Sequence, residues 1–141
     1  MNIIILLGSN LGDRLANLKQ AIDSIASFSS ILQQSNIYQT AAWGNTDQAD
    51  FLNQAIEIQT QHTAENLMHA LLAIESQMGR VRIQKWEPRI IDLDIIFYGT
   101  FIVMIQISLN GTLNAQGDTK SYRNVLIFSF FLNIFLKSLI D

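Results

Sequence analysis

"KWEPRIIDLDIIFYG", residues 85 to 99, joins a charged segment to an apolar run that is interrupted by Asp92 and Asp94. The run is rich in isoleucine and ends at a glycine, which is typical of a buried β-strand. Alternate residues of a strand share a face and lie about 6.5 to 7 Å apart, from a rise of ~3.3 Å per residue. Both acids are therefore predicted to project to one side, while Leu93, Ile95 and Phe97 face the core.

Two acids on one face of a strand need a cation, because carboxylates that are buried without a partner are costly. Mg²⁺ takes oxygen ligands and commonly binds one or two carboxylates together with substrate phosphates. Four basic residues lie close by in sequence: Arg80, Arg82, Lys85 and Arg89. Guanidinium groups bind phosphate oxygens in bidentate fashion, so the segment favours a nucleotide–metal site. The alternative is that the acids and bases pair with each other at a solvated edge.

The segments before residue 85 alternate between strand and helix patterns. Residues 2–8 form an unbroken apolar run, which predicts an inner strand. Residues 13–28 carry apolar side chains at intervals of three and four, which predicts an amphipathic helix; the stripe is Leu15, Leu18, Ile22 and Ile25. Residues 31–41 are a further strand candidate, and turn-forming residues follow at 43–50.

A second strand–helix pair follows the turn. Residues 51–61 alternate, with Leu52, Ile56 and Ile58 on one face and Phe51 and Asn53 on the other. Thr63 is the predicted N-cap of a second helix, and Gly79 is its predicted stop. The apolar stripe of this helix is Leu67, Leu71, Ile74 and Met78.

Strand, helix, strand, strand, helix, strand is the order of the split βαβ or ferredoxin-like arrangement. This predicts an α+β fold in which helices cover one face of an antiparallel sheet and the other face is left for a ligand. With 141 residues, of which 49% are hydrophobic, the chain is predicted to form a single domain over residues 1–141.

Composition excludes several classes of function. Charged residues are 15% of the chain and its formal net charge is -3, which argues against nucleic acid or an anionic membrane as a partner. The absence of cysteine excludes disulfides and thiolate metal sites and is compatible with the cytoplasm. The apolar run at 125–140 contains an asparagine and a lysine and falls short of the ~17 to 25 residues that span a bilayer.

Five segments resemble, in order and spacing, the 6-hydroxymethyl-7,8-dihydropterin pyrophosphokinases of folate biosynthesis. They are "LGSNLGDR" at 7–14, "SNIYQTA" at 35–41, "QADFLNQAIEI" at 48–58, "IESQMGRVR" at 74–82 and "WEPRIIDLDIIFYG" at 86–99. The resemblance covers about the first 100 residues. It implies a ferredoxin-like enzyme that transfers the β,γ-pyrophosphoryl group of ATP to the pterin hydroxymethyl oxygen, leaving AMP, with two Mg²⁺ ions. We also expect a cytoplasmic monomer.

The same resemblance implies roles for particular residues. Asp92 and Asp94 would bind both metal ions. Arg80, Arg82 and Arg89 would face the triphosphate, Trp86 would lie in a loop that closes over the site, and Glu75 would contact the nucleotide. The pterin pocket would be lined by Gly8, Ser9, Thr40, Phe51 and Asn53. From the residue patterns alone, Phe51 could equally be a core residue, Asn53 an edge-strand amide and Glu75 a solvated helix position.

The resemblance stops after Gly99, where the family continues with proline and histidine motifs that residues 100–141 lack. We therefore treat this segment as an atypical tail, and we hypothesise a reading-frame change or a truncated copy. Three functions stay open from the sequence: an active pyrophosphokinase, a catalytically impaired pterin- or nucleotide-binding remnant, and a protein anchored or assembled through its tail.

Overall fold

A computed structural model of the chain describes residues 2–42, 47–80 and 87–99, together with the backbone of residues 101–102. The predicted tail lies outside the described residues, apart from that short backbone segment. The elements are β1 (Ile3–Ser9), α1 (Arg14–Ala26), β2 (Ser30–Gln34), β3 (Tyr38–Thr40), β4 (Phe51–Gln59), α2 (Ala64–Gln77), β5 (Asp92–Tyr98) and β6 (Phe101–Ile102).

The strands form one antiparallel sheet in the order β2-β4-β1-β5-β6, and β3 also pairs with β4. Strand β1 lies between β4 and β5, so each helix connects strands that are not consecutive neighbours in the sheet. The predicted α+β fold with an antiparallel sheet is confirmed. The order also brings the ends of β1, β4 and β5 side by side.

One hydrophobic core lies between the sheet and both helices. From β1 it takes Ile3, Ile5 and Leu7, which are fully buried because alternate residues of the strand face the helices. Its remaining members come from α1, β4, α2, β5 and the residue before β5: Leu18, Ala21, Ile22, Ile25, Ile56, Ile58, Leu67, Met68, Leu71, Ile74, Ile91, Leu93 and Ile95. Each fully buried Leu or Ile side chain stabilises the fold by about 1.5 to 3 kcal/mol. Both helices therefore cover the same face, and the opposite face is left open.

The predicted stripe of α1 is corrected at its first residue. Leu15 is 57% exposed, and Ala21 is buried in its place. At about 100° per residue, these two positions flank the stripe of Leu18, Ile22 and Ile25 on opposite sides, and the Ala21 side is the one that faces the core. The N-cap is Asp13, whose carboxylate accepts a hydrogen bond from the Ala16 amide at 3.1 Å.

A β-bulge in β5 corrects a second prediction. Ile5 pairs with Ile95 but Ile4 pairs with Phe97, so one extra residue lies between them. The shift puts Phe97 opposite Ile4 on the open face, whereas the alternation had placed it in the core. Tyr98 packs against the core instead. The bulge lies beyond Asp92 and Asp94, which keep the regular register opposite Gly8 and Leu6.

Both predicted ends of α2 are confirmed. Thr63 is the N-cap of α2, and its hydroxyl accepts from the Asn66 amide at 3.2 Å. Gly79 has a φ of 92° directly after the helix, as expected for its stop.

Neither helix of the described residues has the length and hydrophobicity of a membrane-spanning helix. The apolar run at 125–140 lies outside those residues.

Candidate functional site

The open face of the sheet carries a cluster around Gly8, near the end of β1. Gly8 pairs with Asn53 of β4 on one side and with Asp92 of β5 on the other. A Cβ atom placed on Gly8 would lie 3.2 Å from Asn53 Oδ1, 3.6 Å from Phe51 Cδ1 and 4.0 Å from Asp92 Cβ. The glycine therefore leaves a shallow cradle that a larger side chain would fill.

The β4 side of this cradle combines an aromatic ring, an amide and a hydroxyl. Asn53 is 6% exposed, and its Nδ2 donates to Thr40 Oγ1 at 2.8 Å. This bond holds the amide with Oδ1 directed toward Gly8. The structure thus brings together four of the predicted pterin residues: Gly8, Thr40, Phe51 and Asn53. A ring beside fixed polar atoms suits a planar ligand with hydrogen-bonding edges.

The Ser9 side chain, which was predicted to line the pterin pocket, lies outside this cluster. Successive strand residues face opposite sides, so Ser9 projects toward the helices while Gly8 faces the open side. Ser9 is fully buried, and its hydroxyl accepts from Asn17 Nδ2 at 3.1 Å. Only the backbone of Ser9 borders the open face.

The β5 side of the cradle is a partly buried charge network. Asp92 accepts from Arg80 Nη1 at 2.5 Å and from Arg89 Nη1 through its other carboxylate oxygen. Arg80 Nη1 also lies 2.5 Å from Glu75 Oε1. Asp92 thus pairs with neighbouring bases, as the alternative predicted. The side chains of Arg80 and Glu75 are 8% and 3% exposed and those of Asp92 and Arg89 are 19% and 30% exposed, so the pairing is partly buried and does not lie at a solvated edge. Charge-assisted bonds of this kind hold guanidinium groups in one orientation.

Glu75 is buried, so its interpretation as a solvated helix position is wrong. Its residue is 2% exposed. Besides Arg80, its Oε1 accepts from the Leu93 backbone amide at 2.8 Å, so one carboxylate joins the end of α2 to β5. The structure places Glu75 against Arg80 and β5, while its predicted contact with a nucleotide stays a prediction.

Asp94 shares the open face with Asp92 and has an unusual pKa. Removal of water by surrounding protein raises the pKa of Asp94 to about 7, and the negative charges of Asp92 and Glu75 raise it as well, against the opposing effect of Arg80 and Arg89. Asp94 nevertheless keeps exposed surface. This exposure limits the desolvation of the Asp94 carboxyl. Repulsion by Asp92 and Glu75 raises the pKa of Asp94 even where desolvation is small.

This donor set fits a hard divalent cation. No cluster of three or more His, Asp or Glu residues with metal-binding geometry occurs in the described part of the chain. Mg²⁺ does not require one, since it commonly binds one or two carboxylates and completes its shell with water and substrate phosphates. Asp92 and Asp94 supply two carboxylates on one face, although both oxygens of Asp92 also accept from arginines. The pKa of Asp94 is raised first by desolvation and then by the charges of Asp92 and Glu75, and a cation would relieve that repulsion.

Two predicted site residues, Arg82 and Trp86, lie outside the described residues. Sequence reasoning also missed one residue that borders the site. Asn10 follows β1 and is 3% exposed, and its side chain contacts both the loop before β4 and Arg89. The sequence signal for Asn10 was weak, because turn-forming residues are common before a helix. The one hint was that Asp13 supplies the N-cap of α1, so Asn10 is not needed as the cap.

Comparison with known proteins extends the resemblance. A family model described as 7,8-dihydro-6-hydroxymethylpterin-pyrophosphokinase (HPPK) matches residues 4–117. The match therefore continues beyond Gly99, where the resemblance of the quoted segments ended.

Similar proteins carry related names. The 2-amino-4-hydroxy-6-hydroxymethyldihydropteridine pyrophosphokinase of Methylorubrum extorquens is 44% identical over 94 residues, which cover 65% of this chain and 60% of the relative. The protein of the same name from Bacillus subtilis is 41% identical over 96 residues, covering 67% and 58%. The mitochondrial folate synthesis bifunctional protein of Pisum sativum is 44% identical over 102 residues, covering 72% and 20%. The chain thus spans about three fifths of the length of these two bacterial relatives.

Proposed function

Because this chain belongs to the 7,8-dihydro-6-hydroxymethylpterin-pyrophosphokinase family, we propose that it transfers the β,γ-pyrophosphoryl group of ATP to the hydroxymethyl oxygen of 6-hydroxymethyl-7,8-dihydropterin. The observation that carries the proposal is the meeting, around Gly8, of an aromatic–amide cradle and an acid–arginine network. A pterin and a polyphosphate could thus lie side by side on the open face. The strand order supports the ferredoxin-like assignment.

The cradle binds and orients the pterin in this proposal. The Phe51 ring offers a flat surface for stacking, and Asn53 offers an amide whose orientation is fixed by Thr40. Gly8 admits the ligand because it has no side chain to occupy the cradle. A pterin bound by these contacts would have its hydroxymethyl group toward Asp92, which lies on the other side of Gly8.

The charged side binds and orients the triphosphate. Arg80 and Arg89 present guanidinium groups that pair with Asp92 and that can also bind phosphate oxygens. We assign Arg82 to the same triphosphate, Trp86 to the closing loop and Glu75 to the nucleotide side, as the family resemblance implies. Asp92 and Asp94 would hold two Mg²⁺ ions, which when bound supply charge neutralisation at the phosphate groups.

The reaction forms a bond between the pterin hydroxymethyl oxygen and the β-phosphorus and breaks the bond between the β-phosphorus and the α,β-bridging oxygen. The hydroxyl proton is released, and AMP leaves with the bridging oxygen. Phosphoryl-type transfer requires chiefly positioning and charge stabilisation, so no covalent intermediate on the protein is needed. We further propose a cytoplasmic monomer. The low content of charged residues supports the absence of nucleic acid and anionic membrane partners.

The direct test is release of AMP from ATP by the purified full chain. AMP should form only when both the hydroxymethyl pterin and Mg²⁺ are present. Asp92→Asn and Asp94→Asn should each abolish most turnover. Asp23→Asn is the matched control, because Asp23 lies on α1 in an exposed pair with Lys19. Folded protein that forms no AMP would reject the enzymatic proposal.

A second candidate is pterin or nucleotide binding without turnover. It is favoured by the departure of residues 100–141 from the family's proline- and histidine-containing pattern. Tryptophan fluorescence distinguishes the two, because a binding protein should show ligand-induced quenching without AMP release. Absence of both signals would reject this candidate as well.

A further inference from the structure

Asn10 uses every polar group of its side chain although it is only 3% exposed. Its Oδ1 accepts from the Arg89 amide at 2.7 Å. Its Nδ2 donates to Gln48 Oε1 at 3.0 Å and to the Ala49 carbonyl oxygen at 3.2 Å. The Asn10 backbone amide also donates to the Arg89 carbonyl oxygen at 3.0 Å.

These bonds end on two chain segments that lead into the two halves of the site. Arg89 is bound at both its backbone amide and its carbonyl, so the start of the side chain that reaches Asp92 is fixed. On the other side, Gln48 and Ala49 come just before Phe51, whose ring lies beside Gly8. One buried amide therefore joins the backbone of the phosphate side to the loop of the pterin side.

Other side chains hold the same loop from different directions. Arg14 Nη1 donates to the Asp50 carbonyl oxygen at 2.8 Å, and Gln39 Nε2 donates to the Asp50 carboxylate at 2.7 Å. Neither of these bonds reaches Arg89. They provide a matched comparison, since a variant of Arg14 removes a bond to the loop without removing the bonds of Asn10.

We infer that Asn10 is a positioning residue that fixes Arg89 relative to the loop before Phe51 and so sets the spacing between the phosphate and pterin subsites. Asparagine suits this role because one amide provides an acceptor and two donor hydrogens in a plane. Alanine would leave the Arg89 amide without its acceptor, and the surrounding segments would lose their common partner. The inference rests on the proposed function for the identity of the two subsites, but the placement of Arg89 can be tested without it.

The first experiment measures hydrogen exchange of backbone amides in the full chain. In Asn10→Ala, the Arg89 amide should exchange about tenfold faster, as expected for loss of one hydrogen bond. The Ile5 and Ile56 amides in the sheet should keep their rates, which reports that the variant is folded. In Arg14→Ala the Arg89 amide should also keep its rate. Unchanged Arg89 exchange in folded Asn10→Ala would overturn the inference.

A conservative variant separates the two ends of the amide. Asn10→Asp keeps an acceptor for the Arg89 amide but removes the donor to the Ala49 carbonyl. We expect slow exchange at Arg89 and faster exchange at residues 48–50. If Asn10→Ala does not fold, this variant still decides the question: equal acceleration at Arg89 and at residues 48–50 would contradict the inference.

The second experiment is a double-mutant cycle on the affinity for MgATP. Arg89→Ala should weaken MgATP binding in the wild-type background and should weaken it at least about threefold less in the Asn10→Ala background, because contacting residues are not additive. A general loss of stability would leave the two effects additive, and additivity would overturn the positioning role. If no variant binds MgATP, the proposed function fails, while the exchange result still decides whether Asn10 holds Arg89.

Discussion

Gly8 shows how a single missing side chain can create a binding surface. Its φ is not among the positive values that occur at Gly12, Gly79 and Gly99, so the demand for glycine is steric. A Cβ on Gly8 would lie 3.2 Å from Asn53 Oδ1, and Asn53 is held by Thr40. The neighbour that would have to move is therefore already bonded elsewhere.

We predict that Gly8→Val lowers the affinity for hydroxymethyl pterin by about tenfold or more, because its branched side chain fills the cradle. Titration of the full chain with the pterin, followed by pterin fluorescence, measures the change. Gly12→Ala is the control: Gly12 has a φ of 69°, so alanine there strains the backbone away from the cradle. It should lower stability by about 1 kcal/mol and leave pterin affinity unchanged. Equal affinities of wild type and Gly8→Val would contradict the assignment of the cradle.

Asp94 gives a prediction for stability against pH. Its pKa in the folded protein is about 7, above the ordinary 3.8, so between these values the folded state holds more protons than the unfolded state. The contribution of Asp94 to the free energy of unfolding is therefore largest at low pH and falls as pH rises toward about 7. Asparagine cannot undergo this loss of a proton.

We expect Asp94→Asn to have a higher Tm than wild type at pH 8 in the presence of EDTA, and the difference to shrink toward pH 4. Thermal unfolding followed by circular dichroism across this range tests the sign. A constant difference at all pH values, or a lower Tm of the variant at pH 8, would show that the carboxyl is not destabilised by its acidic neighbours.

At the scale of elements, the junction of α2 and β5 depends on Glu75. Its Oε1 accepts from Arg80 and from the Leu93 amide, so one carboxylate neutralises a buried guanidinium and completes the hydrogen bonding of a strand. Removing this carboxylate would leave the buried Leu93 amide without its acceptor, while Arg80 would keep Asp92 as a partner. Periodicity had placed Leu67, Leu71 and Ile74 correctly in the core stripe of α2, but it missed the buried Met68 and included Met78, which is the partly buried C-cap. It gave no reason to bury an acid beside the stripe.

We predict that Glu75→Ala lowers the free energy of unfolding by about 1 to 3 kcal/mol, the cost of leaving the buried Leu93 amide without its acceptor. Glu75→Gln keeps an oxygen acceptor and should lose clearly less. Urea unfolding of both variants measures the difference. Glu65→Ala is a suitable reference, since Glu65 is exposed at the start of the same helix. Similar losses for the alanine and glutamine variants would contradict the role of the acceptor oxygen.

At the scale of the whole molecule, the site draws on β1, β3, β4, α2 and β5, together with Arg80 after α2 and Arg89 before β5. A ligand that bridges these parts should stabilise the entire cooperative unit, because binding to the folded state alone raises the free energy of unfolding. This stabilisation by ligand binding does not require turnover. It therefore reports on assembly of the site even if catalysis is impaired.

MgATP at about 100 times its dissociation constant should raise the free energy of unfolding by about 2.7 kcal/mol. The corresponding rise in Tm should disappear when EDTA removes Mg²⁺, and it should be strongly reduced in Arg80→Ala. Differential scanning fluorimetry with and without EDTA provides the measurement. A shift that persists in EDTA would show that the nucleotide binds without the carboxylate–metal arrangement.

The sequence by itself determined the alternation of strands and helices, although the single strand predicted at 31–41 is divided into β2 and β3 and β6 was not predicted. It also determined the face shared by Asp92 and Asp94, the position of Phe51 and Asn53 on the face of β4 opposite the core, and the cap at Thr63. These features follow from strand and helix periods and from local hydrogen bonds, which neighbouring residues specify. Only the tertiary structure decided that Phe97 faces outward, that Leu15 is exposed, that Glu75 is buried under two hydrogen bonds and that Asn10 joins two loops. Each of these depends on strand register or on contacts between residues far apart in sequence. No local pattern encodes such contacts, because the stability of a buried polar group, like the exposure of an apolar one, depends on which distant residues lie against it.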